Sequence, residues 1–255
     1  MKKYLIVIIV LFAFSHAELI RPENDDNLTY VYVLFEWSQE PDATNYNLQV
    51  SSEQSFNNIL VDIEDSTTVY IEDRDLDWND TYYWRVRSIY GSGDFGEWSE
   101  TSYFSIGSKQ FPDRDADIYN EDLIQDGLVA FGGFAPELAS AVIDISGNEI
   151  WNTGEEGEID FILNHINKYG NMYGMSIYDY PNNTGTKINY DLDFLWSAPT
   201  PEIPVDIHEI KQIPNGNYMA FVPDYTQLGP IPEGSWTFLF QAIGYQADGI
   251  TNEFP

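Results

Sequence analysis

Residues 81–88 read Thr81-Tyr82-Tyr83-Trp84-Arg85-Val86-Arg87-Ser88, and their alternation decides the fold. Tyr82, Trp84 and Val86 fall on one side of an extended chain, Tyr83, Arg85 and Arg87 on the other. A period of two is that of a strand with one buried face. Similar runs occupy Tyr30 to Trp37, Tyr46 to Val50, Ser140 to Ile145, Thr186 to Trp196 and Asn217 to Val222, separated by clusters of Gly, Pro, Asn and Asp. Almost nothing repeats at the helical period. Strands recurring about every ten residues between turn signals are the mark of an all-β protein.

Composition sets the outer bounds. The chain has 255 residues, of which 43% are hydrophobic and 16% aromatic, enough to fill cores. Forty-two acids against 11 bases give a net charge of −31, a surface that repels phosphate backbones and argues against nucleic-acid partners. There is no cysteine, which removes disulfides, thiolate metal sites and cysteine nucleophiles. Neither Asp73-x-Asp75-x-Asp77 nor Asp113-x-Asp115-x-Asp117 has the glycine and glutamate of a calcium loop, so both read as solvated acidic loops, and neither a metal nor a cofactor is expected.

Residues 1–17, MKKYLIVIIVLFAFSHA, place Lys2 and Lys3 before an apolar core and end on Ser15-His16-Ala17. This is the layout of a secretory signal peptide, and no later stretch approaches the length of a membrane span. Cleavage after Ala17 removes two lysines and no acid, moving the net charge from −31 to −33. The expected location is exported: periplasmic, secreted or on a bacterial surface.

In residues 18–107, Phe35 and Trp37 share a strand face. Tyr46, Leu48 and Val50 point inward after Pro41-Asp42. Leu76 and Tyr82 precede Trp84 and Val86, and Gly96-Glu97-Trp98-Ser99 closes the set. This segment resembles a fibronectin type III domain, in which Trp37 matches the early-strand tryptophan. Leu76 and Tyr82 match the leucine and tyrosine of the corner, whose hydroxyl bonds back to the turn. Tyr82, Trp84 and Trp98 read as core or packing residues rather than a ligand platform. The composition shift over 108–117 reads as a linker.

The remainder, 118–255, repeats itself. Val142 to Trp151 lines up with Ile188 to Trp196, the two tryptophans being 45 residues apart. Tyr169 to Tyr173 lines up with Asn215 to Met219, and Asp160 to Ile162 with Asp206 to His208, both at an offset of 46. Asn215-Gly216 is expected to form a type I′ hairpin turn. A period near 45 built of short hairpins is the spacing of β-propeller blades. Residues 118–255 supply about three blades where closed propellers have roughly four to eight, so the chain is expected to be the amino-terminal piece of a longer protein.

Gly127 to Phe131, then Ala141 to Asp144 with Gly147 and Trp151, then Asp206-Ile207-His208-Glu209-Ile210 running into Ile213-Pro214-Asn215-Gly216-Asn217, resemble the bacterial arylsulfotransferase family over roughly residues 122–225. The resemblance implies a six-bladed propeller that moves sulfate from a phenolic sulfate ester to a phenol through a sulfated histidine. It implies a supporting catalytic or sulfate-contacting role for His208, with the nucleophilic histidine beyond Pro255. His208 also reads as a strand histidine satisfied by Asp206 or Glu209. His165 aligns with Lys211 and is not expected to act. The segment offers Lys168, Lys187 and Lys211 but no arginine after Arg114, few cations for an anionic substrate. By itself this chain is expected to be inactive. The alternative is a non-catalytic secreted or surface protein that binds a glycan or protein partner.

Overall fold

Every element that the computed structural model shows is a strand. The structure describes residues 16–111, 120, 123, 127–133, 139–154, 161–176, 184–198 and 210–220. Among the described residues no helix is long and apolar enough to cross a membrane. The first part contains β1 (Leu19–Arg21), β2 (Asp26–Leu28), β3 (Val33–Trp37), β4 (Ala43–Ser51), β5 (Ile59–Asp65), β6 (Val69–Glu72), β7 (Thr81–Tyr90) and β8 (Ser102–Ile106). They form two facing sheets, ordered β1-β3-β6 and β2-β8-β7-β4-β5. All pairings are antiparallel except β2 with β8.

The alternation seen in sequence sorts the side chains as expected. Phe35, Leu48, Val50, Trp84, Val86 and Phe104 are 0% exposed, and Trp37 is 1% exposed. Phe35 meets the rings of Trp84 and Phe104 edge-on at 5.2 and 5.8 Å, the arrangement the aromatic quadrupole favours. Tyr82 is the corner residue that the sequence marks. Its hydroxyl accepts the Asp77 N–H at 2.7 Å, beside the buried Leu76. Burial, offset in part by that bond, pushes the Tyr82 hydroxyl pKa up to about 12.

The second part contains β9 (Val129–Gly133), β10 (Ala139–Ile143), β11 (Glu149–Asn152), β12 (Phe161–Ile166), β13 (Met172–Ser176), β14 (Thr184–Ile188), β15 (Phe194–Ser197), β16 (Ile210–Gln212) and β17 (Tyr218–Ala220). They make three antiparallel sheets: β11-β10-β9, the meander β12-β13-β14-β15, and the hairpin β16-β17. β10 and β14 begin 45 residues apart, as do β11 and β15, while β13 and β17 begin 46 apart. Consecutive sheets pack on one another. Ser140 Oγ of β10 donates to the Phe161 carbonyl at 2.6 Å and accepts the Leu163 N–H at 2.8 Å on β12. Gly132 lies so close that a Cβ there would stand 2.8 Å from Ile162 Cγ2 and 3.1 Å from the Leu163 nitrogen. In the same way, Ile210 of β16 fills the space over Gly185.

One turn recurs at four hairpins: 144–148, 167–171, 189–193 and 213–217. In each, the fourth residue donates its N–H to the first residue's carbonyl, and the first donates to the fifth. The fourth residue has positive φ: Gly147 at 87°, Gly170 at 78°, Leu192 at 67° and Gly216 at 87°. This is a type I turn with a G1 bulge. It replaces the type I′ turn expected at Asn215-Gly216, which would need positive φ at both residues. Pro214 explains the change, because its fixed φ suits the second position of a type I turn. The third copy also divides the run Thr186 to Trp196, which reads as one alternating stretch, into β14 and β15.

The two parts are joined through the backbone. Val31 N–H donates to the Ile150 carbonyl at 3.0 Å, and Asn152 N–H to the Thr29 carbonyl at 2.9 Å. Tyr30 and Trp151 thus pair in antiparallel fashion, and residues 29–31 of the sandwich cover the outer edge of β11. Val142, Ile150, Trp151, Phe161, Leu163, Met172 and Ile188 continue the sandwich core without a break.

The cleft at the junction

The turn Asn189-Tyr190-Asp191-Leu192-Asp193 leans on the sandwich. Tyr30 hydroxyl donates to Asp191 Oδ1 at 2.7 Å, and Arg21 Nη1 reaches Asp191 Oδ2 at 3.3 Å and the Tyr190 hydroxyl at 3.0 Å. Tyr30 and Tyr190 meet edge to face at 5.4 Å. From behind, Trp151 Nε1 donates to the Tyr190 carbonyl at 2.8 Å. Burial, reinforced by the bond to Asp191, holds the Tyr30 hydroxyl well above the ordinary tyrosine range. Arg21 is also raised, first by Tyr190 and then by Asp191, against the opposing effect of burial.

Between the turn and the sandwich lies a cleft of about 520 Å³. Its walls carry Glu23, Asp26, Asp191 and Asp193 against Arg21, with Leu28, Leu34 and Leu192 as apolar surface. No histidine, serine or lysine lines it. The cleft offers acceptors, one guanidinium and two phenols, a set suited to holding a ligand rather than to covalent catalysis.

A second set of contacts fixes the approach to the repeats. Glu149 is 6% exposed, and its carboxylate accepts N–H bonds from Gln110, Phe111 and the Asn152 amide at 2.9, 3.0 and 2.7 Å. Asn152 Nδ2 also donates to the Ser108 carbonyl at 3.0 Å, and Trp78 Nε1 to the Glu149 carbonyl at 2.9 Å. Residues 108–111, where the expected linker begins, are therefore anchored. The rest of that segment, 112–117, lies outside the described residues.

His208, the candidate catalytic residue, lies outside the described residues, as do Asp206, Glu209, Asp113, Asp115 and Asp117. The position that aligns with His208 one repeat earlier is Ile162, 4% exposed on β12. His165 stacks on Tyr173 at 5.9 Å. Across the meander, His165, Tyr173, Lys187 and Trp196 sit opposite one another in register. Trp196 in turn stacks on Tyr218 of β17 at 3.8 Å, so this row packs one sheet against the next. Asp73, Asp75 and Asp77 are exposed, and among the described residues no trio of acids or histidines is placed to hold a metal ion. Tyr82 and Trp84 are core residues, whereas Trp98 lies on the outer face of the sandwich against Arg85 and Arg87. Residues 1–15 of the leader lie outside the described residues; Ala17 is 1% exposed and joins the sandwich core. Sequence reasoning missed the junction cleft. Its one local signal was a leucine, Leu192, at the turn position where the other three copies have glycine.

Comparison with known proteins bears on the first part. The family model described as the Rha78A-like N-terminal immunoglobulin domain matches residues 33–110. Among solved structures, a Fn3-like protein from Clostridium thermocellum is 16% identical at a TM-score of 0.30, the match covering 39% of this chain and 99% of that one. A fibronectin type III domain derived from the human KIAA0970 protein is 19% identical at a TM-score of 0.29, with 44% and 82% covered. No curated protein matches the chain. The sandwich topology, the tyrosine corner and the family match agree: the first part is a domain of the fibronectin and immunoglobulin type.

Proposed function

We propose that this is an exported protein in which a fibronectin-type sandwich is fused to the opening blades of an arylsulfotransferase-like propeller. The observation that carries this reading is the repeat: stacked antiparallel sheets whose strands recur at 45 to 46 residues and whose hairpins share one turn. The Pro214-Asn215-Gly216-Asn217 turn that brings the family to mind is one of the four. His208 leads directly into β16, at the position that places Ile162 inside the sheet stack one repeat earlier. In this reading His208 assists transfer of sulfate from a phenolic ester to a phenol, and no cofactor is required.

The test uses the protein encoded by the complete reading frame, with 4-nitrophenyl sulfate as donor and phenol as acceptor. Transfer that falls at least about tenfold in His208→Ala supports the assignment. Transfer unchanged in that variant removes His208 from the chemistry, and absence of any transfer overturns the family reading.

The junction cleft favours a second reading, a secreted or surface binding protein. It is formed by both parts and lacks a nucleophile, as a binding site for a glycan or protein segment would. In that case ligand binding survives His208→Ala while sulfate transfer is absent from the start.

A further inference from the structure

Arg85 and Arg87 stand two residues apart on β7, so both leave the same outer face of the five-stranded sheet. They form part of a continuous stack. The Arg85 guanidinium lies 3.9 Å from the Phe56 ring centre and 4.2 Å from that of Trp98, and the Arg87 guanidinium 4.3 Å from Trp98 and 3.9 Å from Phe95. Phe56 is held at φ 55°, a strained conformation for a bulky residue, to supply the first rung.

The inner edges of both guanidiniums are fixed by neutral acceptors. Arg85 donates from Nε and Nη2 to Gln49 Oε1 at 3.1 and 2.7 Å, and Arg87 from Nε to Asn47 Oδ1 at 3.0 Å. Those amides are oriented because their NH2 groups donate to Asp62 at 2.7 and 3.1 Å. The adjacent carboxylate is therefore bound to the amides. In a chain with 42 acids, neither Arg85 nor Arg87 is ion-paired among the described residues; Arg21 and Arg74 are. Each guanidinium has five N–H groups, and those not named here make no protein hydrogen bond among the described residues.

We propose that this ladder is a docking face for an acidic polysaccharide, its uronate carboxylates held by the outward N–H forks of Arg85 and Arg87. The proposal stands apart from the sulfotransfer reading. Charge complementarity selects an anion, since two adjacent guanidiniums with neutral partners repel one another until an anion arrives. Stacking leaves only the guanidinium edges available, and a planar edge suits a bidentate carboxylate. Pre-organisation by the rings and amides lowers the ordering cost of binding. β7 already pairs with β4 and β8, so a peptide cannot add as a strand there. What remains is a flat surface edged by Phe95, 51% exposed, and the Tyr83–Tyr103 pair, against which the CH faces of sugar rings can lie.

Isothermal titration of the full chain with tetragalacturonate tests this, at an ionic strength near 0.15 M where the Debye length of about 8 Å screens the field of the distant acids. Binding is expected for the free acid and not for its methyl ester. Arg87→Lys keeps the charge but loses the fork, and is expected to weaken binding about tenfold. Phe95→Ala, at an exposed ring, is expected to weaken it about threefold with the melting temperature unchanged. Failure of tetragalacturonate to bind overturns the proposal, as does equal binding of the ester. Unchanged affinity in both variants does the same. Tetraglutamate binding as tightly as the uronate would replace the glycan with an acidic peptide.

Discussion

The turns 144–148 and 189–193 have the same backbone and different surroundings. In both, the first side chain caps the fifth backbone N–H: Asp144 Oδ1 accepts from Asn148 at 2.9 Å, and Asn189 Oδ1 from Asp193 at 2.8 Å. They part at the fourth residue. Gly147 takes positive φ freely, whereas Leu192 takes it at 67° against the clash between its Cβ and backbone. The glycine turn is exposed. The leucine turn is fastened to the sandwich by Arg21, Tyr30 and Trp151, and Leu192 packs against the shared core. One local conformation thus arises from residue type in the first case and from tertiary contact in the second.

The largest expected difference concerns the tryptophans that follow these turns at matching positions. Trp151 is 4% exposed and touches both parts, so Trp151→Ala is expected to cost about 3–5 kcal/mol in urea unfolding. Trp196, half-buried and stacked on Tyr218, is expected to cost well under half of that. Equal losses would show that the junction adds nothing to Trp151. Next, Asp191→Ala removes the acceptor of the buried Tyr30 hydroxyl and is expected to cost about 2 kcal/mol, whereas Ser146→Ala in the sister turn should stay within about 0.5 kcal/mol. Smaller still, Gly147→Leu should cost about 1 kcal/mol through backbone strain, while Leu192→Gly should change stability by less, because lost packing offsets relieved strain. A destabilisation by Leu192→Gly as large as that of Asp191→Ala would mean that Leu192, not the polar contacts, fastens the turn.

The smallest effect needs alkaline pH. Tyr30 and Tyr82 both have folded pKa values above that of an unfolded tyrosine. Above roughly pH 10 the unfolded chain loses these protons first, so stability is fully present below that pH and declines as pH rises. For Tyr82 the decline ends near its folded value of about 12. Tyr30→Phe should flatten part of the decline between pH 10 and 12 in denaturant titrations. An unaltered slope would remove Tyr30 as a contributor.

What could be read from sequence were the features encoded within a few residues. Alternation placed Phe35, Trp37, Leu48, Trp84 and Val86 inside, and spacing identified the Tyr82 corner and the repeat. The turn type at 213–217 was misread because Asn215-Gly216 outweighed Pro214, whose fixed φ sets the geometry. The junction was not legible. Its contacts join residues as far apart as Arg21 and Asp191, and no local period records such a pairing. Trp98 was rightly given a packing role, but a period of two cannot tell a core ring from one stacked between arginines on the opposite face.

Residues 29–31 complete the edge of β11, and this affects how such a chain can recombine. Fibronectin-type sandwiches are commonly treated as beads that can be moved from one protein to another at their linkers. A cut beyond Ile106 would separate strand from strand here. It would leave β11 with bare N–H and C=O groups, an adhesive edge of the kind that drives aggregation. A transplantable unit would have to carry the sandwich and the first repeat sheet together, so the border for gene fusion falls after Asn152 rather than at the composition change near Ser108.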